Sequence, residues 1–188
     1  MRLIVIAAAL FAAGSAAAQV PPAPSPNAAV HDGASMEAFS RLCLQNGPSY
    51  DAAIAYAKEA KWTELASDMA MAFTPVGEPA GIEGWTLGDG DQQPFAALVV
   101  YRGKAGDKDI EGCSLASSQV DAPAFEKRFV EQIAARRIGE EVGEDTIYRR
   151  YSAKVGDREA AIAITLPRYP KGTDQVTISV VAATEVAN

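Results

Sequence analysis

The pattern of apolar and polar positions divides the chain into a helical first third and a strand-rich remainder. "MEAFSRLCLQNG" follows Ser35, a residue suited to cap a helix. It puts Met36, Phe39, Leu42 and Cys43 on one helical stripe. Gly47-Pro48 ends that helix, and "DAAIAYAKEAKW" predicts a second one from Ser49 or Tyr50. Leu65, Met69 and Phe73 recur at helical spacing and predict a short third helix in "TELASDMAMAF". Glycine and proline then punctuate residues 74–94, where only "IEGWTLG" has the texture of a strand, at a sheet edge.

"PFAALVVYRG" is a dense apolar run too short for a core helix. With the turn "GKAGDKD" and the returning "IEGCSLASSQ" it predicts a hairpin. Asp121 is placed to cap "APAFEKRFVEQIAARR". There Phe125, Phe129, Val130 and Ile133 form the apolar stripe, while Glu126, Lys127, Glu131 and Gln132 are expected to face away. Arg136 and Arg137 suit the carbonyl end of that helix. The last third alternates. Ala160, Ile162, Ile164 and Leu166 share a face, as do Val176, Ile178 and Val180, and "TIYRRYSAKV" precedes them as a third strand. The expected fold class is α+β. N-terminal helices lead to an antiparallel sheet of about five strands, made of a hairpin, a helix and a three-stranded meander.

The first residues change the setting of this fold. Arg2, the uncharged run Leu3–Ala13 and Ala16-Ala17-Ala18 have the order of a cleaved secretory signal over residues 1–18. The apolar run falls short of the roughly 20 residues that span a bilayer, so no stable membrane anchor is expected after cleavage. Residues 19–34 form a Pro/Ala/Ser-rich leader, expected to be disordered, and residues 35–188 form a single globular domain. The expected location is periplasmic or secreted. In that oxidising setting Cys43 and Cys113, the only cysteines, are expected to form a disulfide. They are neither a C-x-x-C motif nor, with one distant histidine, a zinc site.

Charge narrows the partners. Without Arg2 the mature chain has 16 basic against 24 acidic side chains, a net charge of −8. No nucleic-acid partner is expected, because phosphate contacts need a basic face.

The candidate chemistry is sparse. The one histidine, His31, lies in the leader, which leaves no partner for a Ser-His or Cys-His nucleophile. Ser114 has no activating motif around it, and "CSL" is not a nucleophile elbow. Asp89 and Asp91 in "GDGDQQ" read as a turn, since the full calcium-loop pattern is absent. Asp107, Asp109 and Glu111 read the same way. Lys104 in "GKAG" is not part of a P-loop, and no G-x-G-x-x-G follows a strand, so neither a cofactor nor a metal is expected. Trp62 and Trp85 read as core anchors.

"YRRYSAK" is the informative cluster. On a strand, Tyr148, Arg150, Ser152 and Lys154 share one face, and Arg149 and Tyr151 share the other. An arginine beside a tyrosine on a sheet can recognise a carboxylate, a sugar or a protein. Tyr148 and Arg150 are therefore the candidate binding residues. The expected function is an exported, non-catalytic module that binds a protein or cell-envelope component. The alternatives are a hydrolase built on dispersed carboxylates and a structural envelope protein without a small ligand. Mass spectrometry of exported protein is expected to show a chain beginning at Gln19. Retention of residues 1–18 would restore a membrane anchor.

Overall fold

The computed structural model describes the backbone of residues 26–87 and 94–184, and side chains from residue 33. The signal segment 1–18, the side chain of His31, and Asp89 and Asp91 lie outside the described residues. Helix α1 (Pro26–Phe39) continues into a π-helical turn over Ser40–Leu44, and α2 spans Tyr50–Ala60. The short strand β1 (Thr63–Glu64) and helix α3 (Ser67–Ala72) precede β2 (Gly81–Thr86), β3 (Ala96–Ala105) and β4 (Lys108–Val120). Helix α4 (Ala122–Gln132) is followed by β5 (Arg136–Val142), β6 (Thr146–Val155), β7 (Arg158–Pro167) and β8 (Asp174–Ala183).

All eight strands join one antiparallel sheet in the order β1-β2-β3-β4-β8-β7-β6-β5. This corrects the expected fold of N-terminal helices and a sheet of five strands. The expected hairpin (β3, β4) and meander (β6, β7, β8) are present, and β1, β2 and β5 extend them at both edges. The last of these edges hid because β5 is exposed on both sides and shows no alternation. Arg136 and Arg137 accordingly sit on β5 instead of closing α4. The chain leaves the helix through Ala134, which adopts a left-handed conformation at φ 49°. The first helix also starts earlier than expected, so Ser35 is buried within it and caps nothing.

Alternation explains the layers. Leu98 and Val100 of β3, Cys113 and Leu115 of β4, and Ile178 and Val180 of β8 point to one face. There they meet Phe39, Cys43, Ala53 and Ala57 from α1, its π-helical turn and α2. Phe125 and Phe129 of α4 complete this core, and the Phe39 and Phe129 rings pack with centroids 6.1 Å apart. Trp85 is in the core and Trp62 packs against it, 6.4 Å away. Cys43 and Cys113 are bonded, which ties the first helical segment to β4 at the centre of the sheet. In the chain-entropy account, a crosslink over this separation of 70 residues contributes about 4 kcal/mol.

The opposite face has its own smaller core. Val99 and Tyr101 of β3 pack with Ala70 of α3, flanked by Leu65, Phe73, Val76 and Ile82. Both faces of β3 are thus covered, which accounts for its unbroken apolar run. The Tyr101 ring packs against Gly112 of β4, where any Cβ would occupy the space of the phenol ring. Because that ring is fully buried and has no room to retreat, Gly112→Ala is expected to destabilise the fold by about 2 kcal/mol or more. Chemical denaturation of the variant measures it, and a change below about 0.5 kcal/mol would contradict this packing.

Candidate functional site

β6 carries the informative cluster, and its two faces have different fates. Tyr148, Arg150, Ser152 and Lys154 lie on the face away from the helical layer. Tyr148 is 43% exposed. Arg150 is also exposed and donates to Glu141 Oε2 on β5 at 2.6 Å. Lys154 pairs with Asp157 at 3.6 Å across the turn that follows. The strand therefore brings Tyr148 and Arg150 to one open surface, and the acidic neighbour strand neutralises part of its charge.

The other face of β6 points under α4. Tyr151 is buried, and its hydroxyl donates to Glu126 Oε1 at 2.5 Å. Arg149 donates through Nη1 to the second oxygen of Glu126, and through Nε to Glu140 Oε2 at 2.8 Å. Arg137 also donates to Glu140. Two arginines and two carboxylates thus form a chain from α4 across β6 to β5, with Tyr151 at its inner end. The hydrogen bond from Arg149, with the charge of Arg137, holds Glu140 below the usual carboxylate range. Burial first, then the hydrogen bond and charge of Glu126, push the Tyr151 hydroxyl up to about 12.

Glu126 is the residue that the helical pattern misplaced. It was expected to face away, yet it is buried with Phe125 and Phe129. The signal for it lies on the partner strand. Alternation already turns Arg149 inward, and an inward arginine needs a carboxylate from a covering element.

Beside this network, a pocket of about 250 Å³ opens between the first turn of α4 and the ends of β6 and β7. Ile147, Leu166 and Pro167 supply apolar lining, and Glu126, Arg149 and Arg168 supply polar groups. The N-terminus of α4 is already satisfied. Asp121 accepts from the Ala124 N–H at 2.9 Å, as its capping position predicts, and buried Asp174 accepts from the Ala122 N–H at 3.3 Å.

The remaining candidates are structural. Ser114 is fully buried on the face away from the main core, where its hydroxyl pairs with Ser179 at 2.7 Å. The neighbouring Tyr101 hydroxyl is buried without a hydrogen bond among the described residues, and burial raises its pKa. Glu111 was read as part of a turn but works at a distance. It accepts from the Tyr50 N–H at 3.2 Å, at the start of α2, and faces Arg158 at 3.9 Å. Among the described residues no group of histidine, cysteine or carboxylate side chains has the arrangement of a metal site. The chain matches no protein-family model, no curated protein and no solved structure.

The burial of Tyr151 beside Glu126 makes a pH-dependent contribution with a definite sign. A phenol whose pKa rises from 10.0 to about 12 on folding stabilises the fold fully below pH 10, and that contribution is lost as pH rises through 12. Phenolate absorbance is expected to show one tyrosine titrating near 12 that disappears in Tyr151→Phe. Glu126→Gln removes the negative charge and is expected to move that titration toward 10. An unchanged titration in Glu126→Gln would refute the contact.

Proposed function

We propose that this chain is an exported, non-catalytic binding module that engages a protein or cell-envelope component, with Tyr148 and Arg150 in the contact. The observation that carries this reading is where exposed apolar side chains gather. Among the described residues five large hydrophobics are exposed, and four of them, Ile138, Val142, Tyr148 and Tyr169, lie on β5, β6 and the β7–β8 loop, with Val142 opposite Ile147 on the other face of the sheet from Tyr148. Exposed apolar surface concentrated at one end of a sheet is a common mark of an interaction site. Arg150 adds a planar group suited to carboxylate or aromatic partners, and Tyr148 adds area at low entropic cost.

Export is part of the proposal. It is supported by the signal-like order of residues 1–18 and by the Cys43–Cys113 bond. No described helix is long and apolar enough to cross a membrane.

The hydrolase alternative draws no support from the carboxylates at this end of the sheet. A general acid needs a carboxyl held protonated and free to donate. Both oxygens of Glu126 are occupied by Tyr151 and Arg149, and Glu140 is held ionised by arginines.

Truncating a tyrosine or arginine anchor costs about 2 kcal/mol, which is about thirtyfold in affinity. The double variant Tyr148→Ala, Arg150→Ala is expected to keep its circular dichroism spectrum and to lose partners captured from native envelope by the mature protein. A folded variant that captures the same partners at the same yield would return both residues to an ordinary sheet surface.

A further inference from the structure

We propose that the pocket between the first turn of α4 and the ends of β6 and β7 binds a carboxylate carried on a small apolar body. This goes beyond the proposed function and does not rest on it, because the pocket opens on the helical side of the sheet while Tyr148 and Arg150 face the other side.

The polar groups at the pocket select the charge. Each oxygen of Glu126 already accepts one short hydrogen bond, from Tyr151 or Arg149, so its charge is largely matched within the fold. The first N–H groups of α4 are taken by Asp174 and Asp121, so the helix end offers no anion hole. What remains is guanidinium. Arg149 uses Nη1 and Nε on carboxylates, and Arg168 uses Nη1 on the carbonyls of Gly143 and Glu144. Among the described residues, Nη2 of Arg149 and both Nε and Nη2 of Arg168 carry no hydrogen bond. Arg168 is further held by its own neighbour, with its guanidinium 5.4 Å from the Tyr169 ring centroid. Planar donors left over beside an apolar wall match a planar acceptor with an apolar tail. A more highly charged anion fits less well, because Glu126 itself lines the pocket.

Size and lining select the body. A volume of about 250 Å³ lies just below the ~300 Å³ at which drug-sized pockets begin, so the ligand has about ten heavy atoms in the pocket. Ile147, Leu166 and Pro167 offer it an apolar surface. The prolines at 167 and 170 fix two backbone φ angles in the loop that carries Arg168, which lowers the cost of ordering that arginine on binding. A free small acid and the C-terminal residue of a peptide share this chemistry.

The test is a titration of the mature protein followed by amide chemical shifts. One probe pair is 3-phenylpropanoate and its neutral amide. The second is N-acetyl-alanyl-phenylalanine and its C-terminal amide. The acids are expected to shift the amides of Ile147, Leu166 and Arg168 with a Kd of about 1 mM or tighter. Each neutral amide is expected to bind at least about tenfold more weakly, the value of one charge-assisted contact. Arg168→Gln should bring the acids down to the level of the amides. Tyr148→Ala, Arg150→Ala should leave acid binding unchanged, which separates this site from the proposed contact surface. Tighter binding of the peptide acid would identify chain ends as the source, and tighter binding of 3-phenylpropanoate would identify a small free acid. Equal binding of acid and amide, full binding by a folded Arg168→Gln, or no shift at about 10 mM would each overturn the proposal. Should Arg168→Gln fail to fold, the acid–amide comparison on the unaltered protein decides.

Discussion

Leu98, Val100, Cys113, Leu115, Ile178 and Val180 make one continuous apolar face on three adjacent strands, and the main helices of the fold are arranged to cover it. A sheet face of this kind cannot stay in water, because each buried valine or leucine side chain is worth about 1.5–3 kcal/mol. The cover comes from two distant parts of the chain, α1 and α2 before the sheet and α4 in its middle. The Phe39–Phe129 contact joins the two parts, and the Cys43–Cys113 bond fixes one of them to the strand beneath. The second face needs far less. Small residues on β4, β7 and β8 leave little apolar area there, and α3 with the segment after it suffices over Val99 and Tyr101.

This division explains what was legible in the sequence. The meander strands β7 and β8 are half-buried, so Ile162, Ile164, Ile178 and Val180 announce their face by alternation. β3 is buried on both faces, and its run "AALVVY" announces a central strand by the absence of alternation. Asp121 announced α4, and its side chain does cap that helix. The edges left no comparable mark. β1 has two residues, both exposed, and so carries no alternation that would announce its pairing with β2. β5 is a charged strand whose pattern is broken further by an irregularity between Arg137 and Gly139. Charge and a bulge at an exposed edge keep a sheet from pairing with another chain, so the features that hid β5 are also those that protect it.

The candidate site was half legible for a related reason. Alternation on β6 placed Tyr148 and Arg150 together and Arg149 and Tyr151 together, and the register bears out both groupings. Which group would be covered depended on α4, whose apolar stripe says where its phenylalanines go and nothing about Glu126. That carboxylate sits 23 residues from Arg149 and 25 from Tyr151, beyond the reach of any local rule. Once β5 lies alongside β6, the acidic residues after α4 pair with its arginines, Glu140 with Arg149 and Glu141 with Arg150.

Glu126 also sets the limits on chemistry at this end of the molecule. A carboxylate that is nearly dry is costly unless both of its oxygens are matched, and here one phenol and one guanidinium match them. The same saturation that makes its burial tolerable removes it from acid–base work. Arg149 is shared between Glu126 and Glu140 and is held at the pocket wall by both, so its remaining donor edge is preorganised. Both arginine hydrogen bonds to Glu140 fall on Oε2, so the network keeps acceptor capacity at its exposed outer end while its inner end under α4 is matched atom for atom.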